Sequence, residues 1–291
     1  MSEFHFKQTL LNQNSKLHYL SFFGLLFFLF ACNGSVSNGI DGDKTYIGPP
    51  KVLTEAKEVI RPSDIISLTD SIVIPILYSH IGGLDSLPID IKKDKFISAL
   101  LPAILVTRHN LKNKENRLLE LIQEDNWTNT DSVFFNSLVE KYKVTDPSRL
   151  LKTLKTHPNS IILAQAVVES GWGNSRIFTS ANNLFGIWSY NRNEPRIPSK
   201  IKRGDKTIYL RKYDDISESI ADYFVTVGRT NAYRQFREER LRTDDPFKLT
   251  PFLDHYSERR QAYVDQLNEL IRYNDLTKYD SYQIDPAYIS Y

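Results

Sequence analysis

The residues of this chain best suited to chemistry lie between Ile161 and Trp188, in the run IILAQAVVESGWGNSRIFTSANNLFGIW. From Ile161 to Val168 only Gln165 is polar, so the segment reads as a helix buried on nearly every side. Glu169 ends the apolar run. Gly171 and Gly173 follow as residues that tolerate positive φ, which predicts a helix stop. A carboxylate at that place sits at the end of an apolar helix, near the negative pole of its macrodipole and beside Trp172; all three features disfavour the ionised form. Such a group is a candidate general acid. The same local pattern also describes a solvated glutamate fraying from a helix end, and the pattern by itself does not choose between them.

The words around Glu169 add to this. The stretch AQAVVESGWGNS, followed by NNLFGIW, closely resembles the catalytic signature of the glucosaminidase family, in its Bax-like and flagellar-hydrolase-like branch. The resemblance implies that Glu169 is the catalytic acid and that Asn183, Leu184, Phe185 and Gly186 open the other wall of a cleft. It also implies a peptidoglycan substrate. Cleaving a glycosidic bond needs a proton for the leaving oxygen and stabilisation of positive charge at the sugar carbon, usually supplied by two carboxylates. Glu194, in the loop before a predicted hairpin, is the acidic candidate for the second role. In several relatives a tyrosine on a late helix takes that role instead, and HYSERRQAYVDQL offers Tyr256 and Tyr263, with Tyr263 the closer match. A third route uses the substrate's own N-acetyl group as nucleophile, and the sequence leaves all three open. Sugar rings present apolar C–H faces, which aromatic side chains can stack against. Ser170, Trp172, Asn183, Phe185, Trp188, Tyr190, Tyr213 and Tyr256 are therefore the candidate substrate-binding residues, with Trp172 and Phe185 expected to be largely structural and Trp188, Tyr190 and Tyr213 nearer the groove.

The elements that must hold these residues are mostly helical. Phe96, Leu100, Leu101, Ile104 and Leu105 recur at helical spacing, and Leu111, Leu118, Leu119 and Ile122 continue the face. Pro102 should kink this helix or mark its start, and the stretch resembles the N-terminal helix pair of the same family. Residues 131–142 predict a helix capped by Thr130 or Asp131, and Asp146-Pro147 starts another. The segments 197–203 and 206–213 flank Gly204-Asp205, a Gly-X pair suited to a type II′ hairpin. Asp215 with Glu218 reads as a capping pattern for a helix carrying Ile216, Ile220, Tyr223, Phe224 and Val227. Residues 230–241 and 258–273 supply two more helices, and the last 15 residues read as a tail.

Charge and cysteine bound the rest. Thirty-seven basic and 35 acidic side chains give a net charge of +2, which makes no electrostatic case for nucleic acid. The six histidines show no metal-ligand spacing, no H-E-x-x-H is present, and no G-x-S-x-G or phosphate loop occurs, so neither a metal nor a cofactor is expected. The single cysteine, Cys32, follows LSFFGLLFFLFA, which is shorter than the ~20 residues of a membrane span and has the layout of a signal peptide. Leu29 to Cys32 resembles a bacterial lipobox, which implies a lipid-modified Cys32 anchoring the protein on the extracytoplasmic side of a membrane. These readings predict a leader over 1–32, a tether over 33–60, a helical extension over 61–146 and a catalytic domain over 147–291. The fold expected is mainly α (α+β), a lysozyme-like helical domain with a small β-hairpin lobe, acting as a monomer on peptidoglycan after N-acetylglucosamine. A lytic transglycosylase or muramidase, or a catalytically silent wall-binding lipoprotein, are the alternatives.

Overall fold

The computed structural model describes residues 49–203 and 206–291. The leader, the lipobox with Cys32, most of the tether and the Gly204-Asp205 turn lie outside them.

Four short strands come first: β1 (Lys51–Val52), β2 (Glu55–Glu58), β3 (Ile72–Val73) and β4 (Ile76–Ser79). The expected tether therefore stops short of Lys51, and the extension after it opens with strands rather than helix. Helix α1 (Ile89–Gln123) then runs for 35 residues with Pro102 inside it. Both the helix pair and a start at Pro102 are thus replaced by one continuous helix, whose residues from Phe96 to Thr107 are all buried. Burial on every side explains how this helix tolerates a proline, since tertiary packing outweighs local propensity.

Helix α2 (Asn129–Tyr142) begins one or two residues before the expected cap, because Thr128 is the N-cap and Asp131 the reciprocal partner of a capping box. Helix α3 (Pro147–Leu154) starts at Pro147 with Asp146 as its cap. Helix α4 (Asn159–Ser170) carries Glu169 near its C-terminus and ends at Gly171 in the left-handed conformation. Its N-terminus has no side-chain cap of its own. Ser160 donates instead, through its backbone N–H and hydroxyl, to the Asp280 carboxylate at 2.7 and 2.8 Å. The supposed C-terminal tail thus caps the central helix.

Helix α5 (Arg176–Ala181) leads to the antiparallel hairpin of β5 (Arg196–Arg203) and β6 (Lys206–Arg211), whose register slips between Pro198 and Lys202. Helices α6 (Ile216–Arg229), α7 (Arg234–Glu239), α8 (Pro246–Leu249) and α9 (Gln261–Tyr273) follow. Asp215 caps α6, while Glu218 reaches back to the Asp214 N–H rather than to that of Asp215. The chain closes with β7 (Gln283–Ile284), which pairs with β3, and β8 (Ile289–Ser290), which pairs with β1. These last residues form part of the fold and correct the expectation of a tail.

Helix α4 packs against α1 and α9, and α6 crosses α1 and α3. One hydrophobic core joins residues from Val59 to Ile284, so α1 and the segment that carries Glu169 share an interior. The architecture is mainly helical with a small β-hairpin lobe. Among the described residues no helix is long and apolar enough to cross a membrane.

Candidate active site

Glu169 occupies the last turn of α4, where the helix emerges from the core. Burial pushes its carboxyl up to about 8, against the smaller lowering effects of a Tyr263 hydrogen bond and the Arg259 charge. Tyr263 of α9 donates to Glu169 Oε1 at 3.2 Å, and its own phenol is held well above the usual range by burial and by Glu169. The ring of Tyr256 lies parallel to that of Tyr263, 5.7 Å between centroids. Of the two tyrosines weighed from the sequence, Tyr263 touches the acid and Tyr256 forms the wall behind it.

The turn after Glu169 is fixed by its neighbours. Ser170 is buried, donating to the Ala166 carbonyl and accepting from the Gly173 N–H. Its side chain closes the helix rather than facing a ligand. Trp172 adopts a left-handed φ of 58°, costly for a non-glycine residue, and its half-buried ring packs edge-on against Phe96.

The opposite wall is built on the hairpin. Asn183 is buried, donates to the Ile187 and Arg211 carbonyls and accepts from the Ile187 N–H. Hydrogen bonds from Ser189 N–H to the Tyr209 carbonyl and from Arg211 N–H to the Ile187 carbonyl then seat residues 187–189 along β6. A cleft against α6 is lined by Phe185, Trp188, Tyr190, Arg211, Asp222 and Tyr256, among others. Glu169 and Glu194 do not line it, and Tyr256, parallel to the Tyr263 ring, joins it to the acid. Phe185 stacks on Tyr223 at 4.4 Å while still lining the cleft, and Tyr190 is 60% exposed. Tyr213, expected nearer the groove, is buried with its hydroxyl donating to Asp222 at 2.7 Å. The reason is its place beyond the end of β6, where Asn182 of the α5 C-terminus grips the Tyr213 carbonyl.

Glu194 is engaged by Arg211, 3.4 Å from its Nε, and Arg211 also pairs with Asp222 at 2.5 Å. This carboxylate pair flanking one arginine was not legible in the sequence, because Asp222 reads as an ordinary polar position on α6. Behind the acid lies a second feature that was missed. Gln165 donates to Tyr263 at 3.0 Å and accepts from Tyr223 at 2.6 Å, and Tyr223 lies 2.9 Å from His157 Nε2. The lone polar residue in an apolar run was the available signal, but its partners are 58 and 98 residues away.

Residues 148–276 match the family described as mannosyl-glycoprotein endo-beta-N-acetylglucosaminidase. The chain is 24% identical over 190 residues to the protein Bax of Escherichia coli, spanning 60% of this chain and 67% of that one. It is 26% identical over 213 residues to the exo-glucosaminidase LytG of Bacillus subtilis, spanning 68% and 70%. Among solved structures, the catalytic domain of the autolysin Auto from Listeria monocytogenes aligns with a TM-score of 0.36 at 24% identity, covering 57% of this chain and 97% of that one. A peptidoglycan hydrolase from Sphingomonas sp. A1 aligns with a TM-score of 0.35 at 22% identity, covering 50% and 85%.

Proposed function

The segment 148–276 belongs to the glucosaminidase family, and from that premise we propose that the protein hydrolyses the β-1,4 bond following N-acetylglucosamine in peptidoglycan, within glycan strands. The observation that carries the proposal is Glu169: a carboxyl that stays protonated to about pH 8, held by a tyrosine hydroxyl at the end of a buried helix. In the reaction Glu169 gives its proton to the leaving glycosidic oxygen and becomes a carboxylate. The Tyr263 hydrogen bond strengthens as that negative charge develops, since a bond to a charged acceptor is roughly twice as strong as one to a neutral acceptor. The nearby Arg259 charge acts in the same sense. Both favour the transition state over the neutral ground state, which is what raises a rate.

Glu194 is our candidate for the second carboxylate. Its Oε2 lies 3.4 Å from Arg211 Nε, and its Oε1 has no protein partner among the described residues. A Glu194→Gln variant that folds normally should lose on the order of 100-fold in rate. A rate within threefold of wild type would take the second role from Glu194 and leave it to Tyr263 or the substrate's N-acetyl group. The sequence from Leu29 to Cys32 supports a further part of the reading, that the enzyme is lipid-anchored and works in the cell envelope.

The experiment is mass spectrometry of purified peptidoglycan after digestion by protein lacking residues 1–32, run beside Glu169→Gln. The expected products are fragments of several lengths with new reducing-end N-acetylglucosamine, absent with the variant. Release of terminal units alone would make the enzyme exo-acting, as its relative LytG is named. 1,6-Anhydro-N-acetylmuramic ends would make it a transglycosylase, and wall binding without products would make it a silent binder.

A further inference from the structure

Four hydrogen bonds run in series behind the acid: His157 to Tyr223 at 2.9 Å, Tyr223 to Gln165 at 2.6 Å, Gln165 to Tyr263 at 3.0 Å and Tyr263 to Glu169 at 3.2 Å. His157, Gln165, Tyr223 and Tyr263 are each 1% exposed or less. The series crosses three helices, α4, α6 and α9, together with the loop before α4. Only Tyr263 and Glu169 belong to the chemistry described above.

The direction of the series follows from its far end. His157 lies among the rings of Tyr223, Phe224 and Phe236, and its Nδ1 has no protein partner among the described residues. A buried nitrogen without a partner is less costly as a lone pair than as an N–H, so the ring proton belongs on Nε2. The ring is neutral, because burial and the Arg240 and Arg108 charges hold it well below the usual histidine range. His157 therefore donates to Tyr223, and Tyr223 must direct its own proton to Gln165 Oε1. That fixes the Gln165 amide with its N–H toward Tyr263. Tyr263, accepting from Gln165, points its hydroxyl proton at Glu169 Oε1. The opposite order would put an N–H at His157 Nδ1 and make Glu169 donate to Tyr263.

We propose that Gln165, Tyr223 and His157 are positioning residues that lock the Tyr263 hydroxyl as a donor to Glu169 Oε1, which reserves Oε2 for the proton delivered to the substrate. The inference rests on Glu169 being the acid of the proposed reaction. Each donor in the series polarises the next, so the last bond is firmer than an isolated tyrosine would make it. The other groups facing Glu169 are Arg259 before α9 and the phenols of Tyr223, Tyr233 and Tyr256, which lie on α6, before α7 and before α9. Gln165 is the group whose amide N–H occupies the Tyr263 oxygen and so turns its proton toward Glu169.

Gln165→Leu and Tyr223→Phe test the series. With the Tyr263 hydroxyl free to turn away, the Glu169 carboxylate loses a donor, so its titration moves upward in pH. The alkaline limb of the activity profile should move up by about half a unit to one unit, and kcat should fall on the order of tenfold with KM little changed. Carbon-13 NMR of glutamate-labelled protein, with the Glu169 signal identified by Glu169→Gln, reads the same titration without substrate. The double variant Gln165→Leu/Tyr263→Phe should match Tyr263→Phe alone, as residues acting in one series require. Unshifted titration of Glu169 in folded Gln165→Leu, or additive losses in the double variant, would overturn the proposal. Should Gln165→Leu fail to fold, Tyr223→Phe, which removes a single oxygen, decides by the same titration. A wild-type protein that leaves peptidoglycan intact would refute the proposed function, while the NMR titration would still decide the series.

Discussion

At the scale of single residues, Glu169 is subject to two opposed effects, with burial raising its carboxyl from 4.5 to about 8 and the Tyr263 and Arg259 contacts working the other way. The net shift has two measurable consequences. A general acid must be protonated, so kcat/KM should fall as pH rises through about 8, and Tyr263→Phe should move that limb upward. Stability follows the same sign. With the folded pKa raised, stability falls between about 4.5 and 8, where the unfolded chain's carboxyl ionises while the folded one still holds its proton, and levels off above 8. Glu169→Gln should therefore match wild type in unfolding free energy at pH 4 and exceed it at pH 9 by on the order of a few kcal/mol, seen as a higher Tm in thermal melts of both proteins across pH. A variant that loses activity but gains alkaline stability is the signature of a residue kept for its chemistry. Glu169 was legible in the sequence because its environment is local: the apolar run, Trp172 and the glycines lie within a few positions of it. The roles of Gln165, Tyr223 and His157 were not, because each depends on partners brought together from different helices.

At the scale of elements, the helices around the acid pack through close contacts that local pattern does not reveal. Gly228 on α6 illustrates this. A Cβ built there would lie 3.1 Å from the Thr153 carbonyl oxygen of α3 and 3.1 Å from the Tyr142 ring of α2. The same Thr153 carbonyl accepts from Arg240, a buried guanidinium, at 3.1 Å. Gly228→Ala should thus force α6 away from α3 and loosen the Arg240 contact, costing about 1–3 kcal/mol in a denaturant melt although alanine is the better helix former. An unchanged or raised stability would mean that the three helices have slack at this crossing. The sequence showed helical faces on α1, α6 and α9 through their periodicity. On α1 the face is buried from Phe96 through Leu105 and at Leu111 and Leu118, but Leu119 and Ile122, assigned to it, are exposed because the last turns of α1 run out of the core. Periodicity could not show that Pro102 would be absorbed into one long helix. The propensity of a proline is a local cost, and the burial of the surrounding turns on every side is a tertiary gain.

At the scale of the whole molecule, the family match covers 148–276, yet the fold that positions Glu169 extends well beyond it on both sides. On the N-terminal side α1 packs against α3, α4 and α6, and Phe96 touches the rings of Trp172 and Phe178 that shape the turn after the acid. On the C-terminal side Tyr279 and Asp280 meet the first residues of α4, the Tyr279 carbonyl accepting from Asn159 and the Asp280 carboxylate from Ser160. These bonds satisfy groups at a helix start that has no cap of its own, and the carboxylate also suits the positive end of the helix dipole. The α1 dependence was partly legible, because its stretch resembles the family's N-terminal helices, whereas the closing residues lack periodicity and hid the Asp280 contact. A fragment holding only 148–276 would expose the faces of α4 and α6 that α1 covers and leave the start of α4 unpaired. Expressed alone, it should show no cooperative thermal transition and no activity, whereas a chain from Pro49 to Tyr291 should melt in one step. Within that longer chain, Asp280→Ala should cost about 1–2 kcal/mol, in the range of a lost helix cap, and lower Tm without shifting the pH at which Glu169 titrates. A cooperative melt of the fragment alone would instead make α1 and the closing strands accessories to a self-sufficient catalytic unit.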